Sequence, residues 1–130
     1  MCVRVAGHAV SGDVIGSLEF ACHVVGTQVL VVLGHSRCGA VTLACAGAPG
    51  GDLDAVTRKL KPAVAATPLP AARDPSDDVY INSVARKHID LSLARIRRES
   101  ALLNSLEQKG ALLLAGAFYD VSSGTVEFLT

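Results

Sequence analysis

The chain has 130 residues with twelve basic and twelve acidic side chains, and half of its residues are hydrophobic. That length is one domain at most, with a small but real core. Zero net charge and the lack of a long basic run exclude the electrostatic footprint of a nucleic-acid or membrane-surface binder. Tyr and Phe are few and Trp is absent, so Val, Leu and Ala must build the core.

Cys2 to Ala6 reads as a strand whose beginning is cut short, and Gly7 to Gly12 as a loop. From Asp13, a plausible N-cap, the apolar residues Val14, Leu18, Ala21, Cys22 and Val25 follow helical spacing, and Gly26 stops the run. Gln28 to Leu33 is nearly all apolar and β-branched, the pattern of a strand buried on both faces of a parallel sheet. Gly34 to Gly39 is a turn, and a helix follows from about Cys38 to Ala46.

Ala48 to Gly51 breaks the chain, and a helix with Leu53, Val56, Leu60 and Val64 on one face follows, Asp52 being its candidate cap. Thr67 to Ser76 holds three prolines and reads as a surface loop. A long helix then starts near Asp77, with Val84, Leu91 and Ile96 expected inside. A shorter one spans about Ser100 to Gln108, with Gly110 suited to its C-terminal cap. Ala111 to Phe118 is a second buried strand, Ser122 to Gly124 a turn, and Thr125 to Leu129 an alternating edge strand. The expected class is therefore α/β: a mainly parallel sheet flanked by helices, closed by an antiparallel hairpin, in a single domain over residues 1–130.

The start, MCVRVAGHAV, lacks a charged n-region and a long apolar h-region, and the apolar runs are too short to span a bilayer. A cytoplasmic location follows as the expectation. In that setting Cys2, Cys22, Cys38 and Cys45 are expected as reduced thiols or metal ligands rather than disulfides.

In α/β sheets chemistry gathers at the carboxyl ends of the parallel strands. That points to His35 and Cys38, three apart across a strand-to-helix turn. An imidazole and a soft thiolate together suit zinc, and a cysteine at a helix N-terminus favours the thiolate form that a metal needs. Gly39 permits close approach of the backbone, so that its N–H can point at a ligand. Zinc wants four ligands, or three and an open position, so this pair is half a site.

The segment GHSRCGAV after VLVVL resembles the zinc loop of the β-class carbonic anhydrases. Arg4-Val5-Ala6-Gly7-His8 is similar to that family's RxAGN segment, with His8 in place of Asn. Gly16 to Phe20 is similar to its GSLE(Y/F) helix. Gly116 to Asp120, with Gly124 and Val126 to Leu129, is similar to its closing hairpin.

The resemblance implies a zinc ion as cofactor and reversible hydration of CO2 to bicarbonate. His35 and Cys38 match two of three protein ligands of that metal, and the Gly39 N–H matches the catalytic group that steadies bicarbonate. It also implies a homodimer or larger assembly. The family's first ligand lies in a CxDSR motif whose Asp and Arg form a dyad, and no CxDSR occurs in this sequence. Cys2 lies inside the RxAGN strand and is no substitute.

In the family the CxDSR strand is central, between the strands that match Cys2–Ala6 and Gln28–Leu33. Its absence leaves two apolar strands unpaired. The expectations are a fragment or misassigned start, a second chain that fills the gap, or a rearranged sheet. The activity expected is a carbonic anhydrase impaired in this chain. The alternative is a non-catalytic oligomerisation or regulatory module, and a thiol redox role for Cys38 ranks last.

Of the remaining residues, Cys22 and Cys45 are expected in the core. His23 and His88 are expected on solvated helix surface, as are Arg95, Arg97 and Arg98, and Arg37 on an exposed loop. His8 is a candidate third metal ligand.

Overall fold

The computed structural model describes residues 1–47, 50–71 and 74–129. Ala6–His8 forms a 3-10 turn, followed by α1 (Gly12–Glu19), which continues as a π-turn over Phe20–Val24. Strand β1 (Val29–His35) leads into α2 (Gly39–Ala46) and α3 (Leu53–Ala66). Then come α4 (Asp78–Glu99), α5 (Ala101–Gln108), β2 (Leu113–Tyr119) and β3 (Val126–Phe128).

The sheet order is β1-β2-β3. β1 and β2 run parallel, with Val29 opposite Leu113 and His35 opposite Tyr119. β2 and β3 are antiparallel, with Ala117 opposite Phe128. This is the expected α/β architecture, a parallel pair extended by a C-terminal hairpin.

Helix α4 is the spine. Its buried residues, among them Ile81, Val84, Ala85, Ile89, Leu93 and Ile96, form one stripe at helical spacing. That stripe lies on the sheet where two glycines admit it. A Cβ at Gly34 would stand 2.7 Å from Ile89 Cδ1, and one at Gly116 2.8 Å from Ile89 Cγ2. The absence of side chains at these two positions sets how closely helix and sheet approach.

Three helix starts differ in kind. Ser11, rather than Asp13, caps α1, its Oγ accepting from the Val14 N–H; Asp13 sits in the first turn, where a carboxylate complements the helix dipole. Asp77 caps α4 through its carboxylate and the Val79 N–H. Ser100 caps α5, accepting from the Leu103 N–H (3.1 Å) while its hydroxyl donates to Glu19 (2.6 Å), which ties the end of α1 to the α4–α5 junction. Gly110, at φ 72°, follows the end of α5 in the left-handed conformation expected there. The break at Ala48–Gly51 and the loop of residues 67–76 fall partly outside the described residues.

Two expectations about strands are corrected. Cys2–Ala6 forms no strand: Val5 has extended dihedrals, but no strand lies beside this stretch to complete a ladder. β1 is not buried on both faces but alternates strictly. Leu30 and Val32 face the core under α4, whereas Val29, Val31 and Leu33 are 53 %, 41 % and 49 % exposed. α4 covers one face of β1 and the other face is exposed, which decides the pattern; β2 is instead buried at consecutive positions from Leu114 to Phe118, as a strand buried on both faces is. The other edge of β1 is likewise open among the described residues. A groove of about 720 Å³ runs along it, walled on the far side by Met1–Val5.

Candidate zinc half-site

The loop Ser36-Arg37-Cys38 leaves the carboxyl end of β1 and is pinned on three sides. The buried Ser36 donates its N–H to the Tyr119 carbonyl (2.9 Å), and its Oγ accepts from the Val121 N–H (2.9 Å). The same hydroxyl donates to Asp120 Oδ1 at 3.4 Å. The Ser122 N–H, foremost, holds the Asp120 carboxyl below its ordinary range. Arg37 takes a left-handed backbone (φ 55°), donates its N–H to Asn82 (2.9 Å), and forms an exposed ion pair with Asp78 at 3.5 Å.

This scaffold presents the pair that the sequence singles out. His35 is exposed, and its Nδ1 lies 2.9 Å from the Ser36 carbonyl. A proton on Nδ1 satisfies that contact and leaves the Nε2 lone pair for a metal, the arrangement that orients metal-binding histidines. Cys38 is 3 % exposed and sits at the N-cap of α2, where its side chain makes no capping bond. Gly39 opens α2, is exposed, and has no heavy atom within 4 Å of where a Cβ would stand.

In donor chemistry His35 and Cys38 fit zinc. They do not complete a site: among the described residues no three His, Cys, Asp or Glu side chains are placed to share an ion. Cys2 lines the groove beside β1, as do His8 and His35, but no such cluster forms.

His8 instead turns towards α4. Its ring meets that of His88 with centroids 4.8 Å apart and planes inclined by 53°. The expectation of a solvated His88 is thus corrected, since it is 4 % exposed. His88 lies one turn beyond Val84, within the buried stripe of α4, and that spacing was the available signal. Burial, reinforced by the neighbouring imidazole, lowers His8 to about 3, while the Ala85 carbonyl acts in the opposite sense. Burial, then the charge of Arg95, lowers His88 to about 4.

The arginines of α4 are also more engaged than expected. Arg95 donates to the Val10 carbonyl (2.6 Å) and to Glu99 (2.8 Å), and Arg97 forms a two-pronged pair with Glu107. Cys22 is buried and Cys45 half-buried in the core, and burial pushes both thiols up. His23 is exposed.

The carbonic anhydrase family profile matches residues 1–126. Carbonic anhydrase 2 of Mycobacterium tuberculosis is 32% identical over 127 residues, which cover 94% of this chain and 58% of that protein. Carbonic anhydrase of Pseudomonas aeruginosa is 34% identical over 134 residues, covering 98% of this chain and 60% of that protein. In three dimensions the chain resembles a tetrameric β-carbonic anhydrase of Sordaria macrospora, with a TM-score of 0.86 at 22% identity, covering 98% of this chain and 66% of that one. It also resembles a carbonic anhydrase of Streptococcus mutans, with a TM-score of 0.61 at 28% identity, over 98% of this chain and 65% of that one.

The fold and the loop after β1 thus define an α/β protein of the β-carbonic-anhydrase type. This chain belongs to the carbonic anhydrase family, and it spans about three-fifths of the length of the curated relatives it matches.

Proposed function

We propose that the chain serves β-class carbonic anhydrase chemistry, the reversible hydration of CO2 to bicarbonate, by contributing His35 and Cys38 to a zinc site. One observation carries this reading: both donors sit at the carboxyl end of β1, with His35 Nδ1 engaged by its own backbone and the Cys38 side chain at a helix N-terminus. Zinc, when bound, makes water a nucleophile near neutral pH.

The chain's own residues do the rest. With a proton on Nδ1 donated to the Ser36 carbonyl, His35 would offer its Nε2 lone pair to the metal. Cys38 would supply the sulfur donor, and the free approach at Gly39 lets its N–H donate to an oxygen of bicarbonate. Ser36, fixed between Tyr119, Asp120 and Val121, keeps the loop from shifting as ligands exchange.

A third donor has to come from outside the described cluster, and the open edge of β1 is where an added segment would bring it. The isolated chain is accordingly impaired. That the described residues hold no three-donor cluster favours a second reading, a non-catalytic module that keeps the family's assembly surfaces. The bare apolar face of β1 supports association of copies in either case.

Zinc content per chain, with CO2 hydration followed by stopped flow, tests the proposal. The expected result is zinc retained by the wild type and lost in His35→Ala and Cys38→Ser, with any hydration lost alongside. Equal zinc and equal activity in all three proteins would overturn it.

A further inference from the structure

Two polar side chains of α4 are almost wholly buried, and their polar atoms have no hydrogen-bond partner among the described residues. Both ring nitrogens of His88 (4 % exposed) and Oγ of Ser92 (2 % exposed) are in this state. They lie one helical turn apart, on the same side of α4, and both line a cavity of about 790 Å³ between α3 and α4. Leaving such groups without partners forfeits their hydration with nothing in return, so a ligand able to accept hydrogen bonds there is favoured.

Charge around the cavity indicates which acceptor. Among the described residues that line it, the cations are Arg58, Lys59, Arg95 and Arg98. Its carboxylates are Asp52, Asp54 and Glu99. Asp54 is paired with Arg58, and Glu99 is shared by Arg95 and Arg98. The Lys59 ammonium donates to the Ala55 carbonyl and has no carboxylate partner among the described residues. Arg95 is anchored through Val10 and Glu99, close enough to His88 to disfavour a proton on that ring.

Four cations against three carboxylates, Asp52 included, leave the lining with one net positive charge, which favours an anion over a cation. A neutral imidazole still presents one N–H donor, and Ser92 presents an O–H donor. Both serve an anion.

We propose that the cavity between α3 and α4 is a binding site for a small oxyanion of the carboxylate, bicarbonate or phosphate kind. His88 N–H and Ser92 O–H are its buried donors, and Arg95 is its fixed counter-charge. The site is separate from the pair at the end of β1, because His88 opens on this cavity while His35 opens on the groove along β1.

Titration of the full chain with bicarbonate, acetate and phosphate in turn tests this. Ionic strength is held constant with chloride, and the imidazole nitrogens of the four histidines are followed by NMR. The expected result is a saturable shift at His88, with little change at His23 or His35, and none when chloride alone is varied. Ser92→Ala removes one donor and suits a helix, so the fold is retained, as a thermal melt will verify. It weakens oxyanion binding about tenfold, as loss of one hydrogen bond to a charged group predicts. Equal response to chloride, shifts centred on His35, or unchanged affinity in Ser92→Ala would each overturn the assignment.

Discussion

His8, in a left-handed backbone conformation (φ 43°), packs its imidazole on that of His88, joining the N-terminal turn to the middle of α4. Both rings are held well below the ordinary histidine value of 6.5, His8 at about 3 and His88 at about 4, chiefly because burial penalises the cation. The unfolded chain therefore binds more protons than the folded one once the pH drops below about 6.5. Stability is present in full above that pH and is lost as the pH falls towards 4, by at most about 1.4 kcal/mol per unit for each ring.

Urea unfolding at pH 7 and pH 5 should show this loss before the carboxylates titrate. His8→Asn removes one ring and should flatten the difference between the two pH values. An unchanged difference would show that His8 is not held neutral by its surroundings.

The contact of Ile89 with Gly34 and Gly116 gives a second prediction. Gly116→Ala puts a methyl group against Ile89 Cγ2 (2.8 Å) and Leu93 Cδ1 (3.0 Å), and overpacking of this kind costs about 1–3 kcal/mol. Gly34→Ala meets chiefly Ile89 Cδ1 at 2.7 Å. The two variants should differ in rescue. Ile89→Val deletes Cδ1 and keeps both γ-methyl positions, so it should recover part of the stability of Gly34→Ala and little of that of Gly116→Ala. Denaturation midpoints of the two double variants decide the matter.

Ser100 offers a third. It is 0 % exposed, and its hydroxyl both caps α5 and donates to Glu19. Ser100→Ala loses the cap and the charge-assisted bond together, at a cost of about 2–4 kcal/mol. Glu19→Gln keeps an acceptor for Ser100, so its cost should be nearer 1 kcal/mol. Thermal melts of the two variants rank them, and equal losses would contradict the view that Ser100 acts on both neighbours.

Much of this fold is legible in the order of residues. Helical spacing marks α3 and α4, the β-branched run marks β1, and the turn after it singles out His35 and Cys38 before any coordinates. What stays hidden depends on neighbours. β1 and Cys2–Ala6 are both rich in valine, the latter interrupted by Arg4, yet among the described residues only β1 has a strand beside it. Nor does the run Gln28–Leu33 reveal that one face of β1 is left bare, because that is settled by what packs against the strand. His88 and Ser92 look like surface residues by type, and only their place in the stripe of Ile81, Val84, Ile89 and Ile96 puts them inside. Ser36, with small side chain and no charge, gives no sign that it locks the loop of the half-site.

The bare face of β1 leads to the last prediction. Val29, Val31, Leu33, Leu113 and Phe128 are all exposed by two-fifths or more. The strand registers place them on one side of the sheet, since residues at even offsets share a face and Val29 pairs with Leu113 and Ala117 with Phe128. Ala115 and Ala117, opposite Val31 and Leu33 on the same side, are buried, so the open apolar surface is the strip of β1 with Leu113 beside it and Phe128 beyond. An exposed apolar strip along an open strand edge invites pairing of copies, so the chain should associate at micromolar concentration. Val31→Thr keeps the shape and β propensity of the strand while wetting its centre, and Leu33→Lys adds a like charge to every copy. Sedimentation velocity should show the weight-average mass falling towards 13.4 kDa in the double variant, with the circular dichroism of the fold retained. A wild-type chain that sediments as a monomer, or a double variant that associates as strongly, would mean that this face is not where copies meet.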